Sequence, residues 1–185
     1  MPRKENPVEE AFERCRLLAL LIDHEYQRAR STPTDQRYVD LGITEKGQKI
    51  EDARREIIQA FDELAALSNH LAILDMASAF ERMFRSRIAT AIGEARKSLQ
   101  DKYARPGSTP LIAREKLIRE HFEGIADIIE LIGASLSKEV QEQLRQVRDS
   151  RNKFSHGTDL RVAPTIMREE ARDALNEAIV LLRPS

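Results

Sequence analysis

Apolar residues along this chain return at steps of three, four and seven, and that rhythm constrains the fold more than any other feature. Val8, Phe12, Cys15, Ala19, Ile22 and Tyr26 follow it first, then Ile50, Ile57, Phe61, Leu64 and Leu71. Ile73, Ala77, Phe80, Phe84, Ile88, Ala91, Ala95 and Leu99 continue it, as do Ile118, Phe122, Ile125, Ile129 and Ile132. At 3.6 residues per turn this spacing lines one face of a helix. Composition points the same way: seven Gly and seven Pro in 185 residues, aromatics at 5% and no Trp leave a chain rich in strong helix formers. The fold class expected is all-α.

Breakers divide the pattern. A first helix is expected over residues 7–30, ended by "STPTDQRYVDLG", whose Ser, Thr, Pro, Asp and Gly make a connection. Thr44 reads as the N-cap of the next segment. Residues 45–100 then read equally as one very long helix or as two with a joint near Ser68, Asn69 and His70. "DKYARPGSTP" ends that run, and Thr109 before Pro110 fits a helix start. Gly133, Ser135 and Ser137 mark a further break, Ser137 can cap the helix that follows, and a final helix is expected from Thr165 to Leu182. The simplest architecture is an up-down bundle of four to five helices over residues 66–185, with residues 1–65 as an N-terminal helical extension packed on it or projecting from it.

Lys and Arg number 30 against 31 Asp and Glu, a balance that argues against a protein coating nucleic acid non-specifically, since that affinity comes from neutralising phosphates. A local basic cleft remains compatible with it. Cys15 is the single cysteine and sits on an apolar stripe, where a buried, inert thiol is the ordinary reading. No stretch approaches the roughly 18 consecutive apolar residues of a membrane span, so a soluble, cytoplasmic protein is expected. His24, His70 and His121 lack metal-ligand spacing, no glycine-rich phosphate loop is present, and the Asp62–Glu63 pair reads as part of a charged face. No metal site or cofactor is expected.

One stretch departs from the bland pattern. Leu136, Val140, Leu144, Val147, position 151 and Phe154 keep the spacing, yet position 151 holds an arginine. A guanidinium facing a helix interface must be paired or meet water, because desolvating it costs several kcal/mol. Asn152 and His156 lie four apart on one face, whereas Arg151 and His156 are separated by about 140° on a regular helix. Gly157 allows a left-handed turn that would end the helix and bring the imidazole towards the arginine. A symmetric helix contact between two copies would also bring them together. Against this stands a plain structural use: a cation in the last turn gains about 0.3–1 kcal/mol from the helix dipole, which suits both Lys153 and His156.

Arg151-Asn152, three residues, then His156-Gly157 near the end of a bundle's penultimate helix resembles the HEPN superfamily, whose signature is an arginine, four to six residues and a histidine, often with Asn after the Arg. "LAILDMASAFERMFRSRI" at 71–88 is similar to the HEPN helix in which a glutamate follows an apolar run. The resemblance spans about residues 66–183. It implies a homodimer whose paired motifs form one cleft, and a metal-independent endoribonuclease of the kind found in toxin–antitoxin, phage-defence and RNA-processing systems, where an antitoxin or other regulatory protein is a further partner. In that reading His156 exchanges protons with the ribose 2′-hydroxyl or the leaving 5′-oxygen, Arg151 holds the scissile phosphate, and Asn152 orients one of them. Arg145, Arg148, Lys153 and Arg161 would track the RNA backbone, although each is equally an ordinary solvated charge. Thr158 stands where some HEPN toxins carry a tyrosine that receives a nucleotide, which puts that control in doubt.

Two other classes fit. In one, the domain is a non-catalytic HEPN-like interaction module, with Arg151 in an ion pair across a helix interface and His156 finishing a helix. In the other, the segment 45–100 is a helical adaptor that meets a partner through Arg82, Arg85, Arg87 and the loop at 101–109.

Overall fold

The stretch that reads as one helix or two is a single helix. In the computed structural model, which describes residues 6–33, 35–103, 124–156 and 164–181, it runs unbroken from Ile50 to Tyr103, 54 residues, or roughly 80 Å at 1.5 Å per residue. Ser68, Asn69 and His70 are mediocre helix formers, but none lacks an N–H or is free of a Cβ. Their deficit is a few tenths of a kcal/mol each, while Ala66, Ala72 and Ile73 on either side are buried.

All elements among the described residues are helical: α1 (Pro7–Ser31), α2 (Gln36–Asp40), α3 (Ile50–Tyr103), α4 (Ile125–Ile132), α5 (Lys138–Ser155) and α6 (Arg168–Leu181), with a 3₁₀ turn at Gly133–Ser135 before α5. None of these helices is long and apolar enough to cross a membrane. The expected start of the second segment needs correction. Thr44 is buried and does not cap α3, because Gly47 adopts φ +77° three residues later and the left-handed turn keeps the helix from starting before Ile50. The connection ahead of it also carries α2, which Asp35 caps by accepting the Arg37 N–H at 3.0 Å. Ser137 caps α5 as expected, its Oγ accepting from Val140 N–H at 3.2 Å. The last helix begins at Arg168 rather than Thr165, with Glu170 accepting the Met167 N–H at 3.2 Å. Thr109, Pro110, Ile118, Phe122 and Leu182 lie outside the described residues.

Helix α1 runs antiparallel to α3: Arg14 pairs with Asp75 at 2.8 Å, and the Tyr26 and Phe61 rings sit 5.5 Å apart. The main core joins α1, α3, α4, α5 and α6 through Val8, Phe12, Ile73, Met76, Phe80, Phe84, Ile128, Leu144, Val147 and Leu175. Each such side chain contributes about 1.5–3 kcal/mol on burial. The start of α1 thus belongs to this core. It is tied further by Asn6, which donates to Asn176 at 2.8 Å, and by Arg172 stacked 4.5 Å over the Phe12 ring. A second, smaller core of Ala29, Tyr38, Ile57 and Phe61 holds the other end of α1 and the start of α3 together, with Ile22, Tyr26 and Ile43 packed on it. Cys15 is half-buried against the main core, and its burial pushes the thiol pKa up.

Candidate functional site

The seam arginine has a partner that spacing did not reveal. Arg151 Nη2 approaches Glu81 Oε2 at 3.5 Å, joining α5 to α3 across 70 residues of sequence. Glu81 is nearly buried, its side chain 9% exposed, while that of Arg151 remains 35% exposed. The other Glu81 oxygen, Oε1, accepts the Ile125 N–H at 3.3 Å. Because that N–H is one of the unpaired donors opening α4, the carboxylate also meets the positive end of the α4 dipole. One buried glutamate therefore binds three helices.

Gly124 is the residue that admits this arrangement. A Cβ there would meet Glu81 Oε1 at 3.1 Å, tighter than an ordinary contact, so a side chain would press on a carboxylate already fixed by Ile125. Asp127 closes the turn from the other side by accepting the Gly124 N–H at 3.1 Å.

Asn152 faces the same guanidinium: its Oδ1 accepts from Arg151 Nη1 at 3.1 Å. Glu81 and Asn152 thus hold two different nitrogens of Arg151, restraining a long cation that keeps a third of its surface in water. Helix α5 ends at Ser155, whose hydroxyl donates to the Arg151 carbonyl at 2.9 Å. His156 is the C-cap, exposed, with φ −96° and ψ 7° and its N–H directed to the Asn152 carbonyl at 3.0 Å. Within one chain the Arg151 guanidinium turns to Glu81 and Asn152, while His156 stands exposed at the end of the helix. Gly157 and Thr158 lie outside the described residues.

Phe154 anchors this end of α5, its ring 6.4 Å from that of the buried His70. One residue earlier on α3, Asn69 reaches Met167, just ahead of α6, with Nδ2 3.8 Å from the sulfur. The end of α5, the start of α6 and residues 69–70 of α3 therefore share one end of the bundle.

Arg145 pairs with Glu142 at 3.2 Å and Arg148 with Asp149 at 2.8 Å, each on its own helix, while Lys153 is exposed. Arg161 and His121 lie outside the described residues. Arg87 donates to the Ile179 carbonyl at 3.4 Å, a structural contact between α3 and α6. His24 is exposed on α1, with Nδ1 3.8 Å from its neighbour Glu25. Among the described residues, no three His, Cys, Asp or Glu side chains gather closely enough to hold a metal ion. Comparison of the chain with protein-family models, with curated proteins and with solved structures gives no match.

Proposed function

We propose that this helical bundle is a metal-independent endoribonuclease of HEPN type, acting as a homodimer in which two α5 ends form one cleft. The observation that carries the reading is the restrained but water-facing arginine: Arg151, held by Glu81 and Asn152, sits little more than one helical turn before an exposed histidine. A purely apolar interface has no use for such a group, whereas a phosphate does.

In the mechanism, His156 removes the proton of a ribose 2′-hydroxyl. The 2′-oxygen forms its bond to phosphorus as the bond to the 5′-oxygen breaks, and His156 of the second subunit returns a proton to that leaving oxygen. Arg151 offers N–H donors to the non-bridging oxygens, where charge grows in the transition state, and Asn152 holds the guanidinium plane. The products are a 2′,3′-cyclic phosphate and a 5′-hydroxyl. Arg145 and Arg148 exchange their exposed carboxylate partners for phosphates, a modest cost because surface ion pairs are worth about 0–1 kcal/mol.

The test is cleavage of mixed cellular RNA in excess EDTA. Wild type is expected to cut, His156→Ala to lose at least about 100-fold, and the fragments to end in cyclic phosphates. Undiminished cleavage by Arg151→Ala or His156→Ala would refute the mechanism.

The Arg151–Glu81 pair also favours a second reading, a HEPN-like interaction module in which the arginine ties α5 to α3. That reading expects no RNA cleavage, and a larger loss of stability from Arg151→Ala than a water-facing cation should cause.

A further inference from the structure

Where the five-helix core gives way to the α1–α3 pair, those two helices and Met167 and Arg168 at the start of α6 line a cleft of about 320 Å³. Its size falls at the small end of the roughly 300–1,000 Å³ of small-molecule sites. Tyr26 and Phe61 form an aromatic wall. Asp23, Asp62, Ser68 and Asn69 supply the polar lining together with Arg168, whose guanidinium is engaged by Glu169 at 2.8 Å. The Ser68 hydroxyl is the unexplained group: the residue is 3% exposed, and its Oγ has no hydrogen-bond partner among the described residues. A buried hydroxyl left unpaired costs free energy, and a ligand that reaches it recovers that cost.

The lining selects the ligand. Two carboxylates, against one guanidinium already paired with Glu169, leave the cleft net acidic, which favours N–H donors over a phosphate. An aromatic wall beside them suits a flat ring. Guanine is the base that presents two adjacent N–H donors, N1–H and the N2 amino group, to a single carboxylate, and its O6 and N7 acceptors match the hydroxyl of Ser68 and the amide of Asn69. Asn69 of the cleft adjoins His70, whose ring packs on Phe154 two residues before His156, so the cleft and the last turn of α5 border the same stretch of α3.

We infer that this cleft is a base-specificity pocket that receives an unpaired guanine of the RNA, with Asp62 or Asp23 reading its Watson–Crick edge and Ser68 and Asn69 its acceptors. The inference rests on the ribonuclease reading for its biological substrate, but the pocket itself does not need cleavage to be detected.

The experiment is titration of the full chain with guanosine, followed by amide NMR shifts, with adenosine and uridine as comparisons. Guanosine is expected to shift Asp23, Tyr26, Asp62 and the Asn69 side-chain amide, and to bind at least about tenfold more tightly than the other two nucleosides. Asp62→Asn together with Asp23→Asn should abolish that preference, Ser68→Ala should weaken binding while raising the thermal unfolding temperature, because the unpaired hydroxyl is gone, and His156→Ala should bind as wild type. No binding of guanosine at millimolar concentration, or binding that the double aspartate variant leaves unchanged, overturns the pocket. Guanosine binding by a protein that never cuts RNA would leave the pocket standing and refute the ribonuclease. Cleavage without guanosine binding would do the reverse.

Discussion

The two ends of α1 meet very different surroundings. Its first turns enter a core filled from five helices, where Phe12 lies among Ile73, Met76, Phe80 and Leu175. Its last turns rest, among the described residues, on α3 and the short α2, around a core of Ala29, Tyr38, Ile57 and Phe61. The same helical rhythm serves both ends, and both hold fully buried side chains, Phe80 in the large core and Ile57 in the small one. Beside the small core there is an aromatic-walled cleft and a buried serine whose hydroxyl has no partner among the described residues. Stability concentrates at one end, and the capacity to bind is left at the junction.

The comparison breaks most sharply with paired truncations. Phe80→Ala empties a fully buried site in the large core and is expected to cost about 3–5 kcal/mol, whereas Phe61→Ala borders the open cleft and should cost about 2–3 kcal/mol because its surroundings can close or admit water. Urea denaturation of both variants measures the difference, and equal losses would mean that the small core is as rigid as the large one.

A smaller effect separates the two members of the ion pair. Glu81→Ala removes both the acceptor of the Ile125 N–H and the partner of Arg151, an expected loss of about 2–3 kcal/mol. Arg151→Ala should cost about 1 kcal/mol, since the arginine is a third exposed and its pair is long and partly screened. The same denaturation series checks the order, and a reversed order would make the arginine primarily structural and strengthen the interaction-module reading.

The smallest effect is confined to the thin end. Arg37, through a side-chain hydrogen bond and then its backbone N–H, holds the Asp35 carboxyl below its ordinary range. A depressed carboxyl adds stability above its unfolded pKa, near 3.9, and that contribution disappears as pH falls through the lower folded value. Acid is therefore expected to loosen α2 before the large core, visible as a change in Tyr38 amide shifts in this window, and Asp35→Asn should remove that step.

Much of this was legible in the residues themselves. Spacing placed α1, the middle of α3 and α5 on the right residues, and Ser137 announced the start of α5, because periodicity and caps are local properties of the chain. The unbroken passage of α3 through Ser68-Asn69-His70 was not legible, since packing on both sides of a weak joint outweighs propensities of a few tenths of a kcal/mol. Nor was the delayed start of α3, which depends on the left-handed backbone at Gly47.

The sequence by itself determined that the chain is helical, where its faces lie, and that Arg151 stands on a seam that asks for an apolar side chain. A single charge at a periodic position is enough to raise that question. Only the tertiary structure decided how the charge is met: Glu81 and Ile125 come together from distant segments, and Gly124 leaves them room. The cleft beside Ser68 belongs to the same class of fact. It exists because α1, α3 and the start of α6 come together there, and no local pattern in any one of them records where the other two pass.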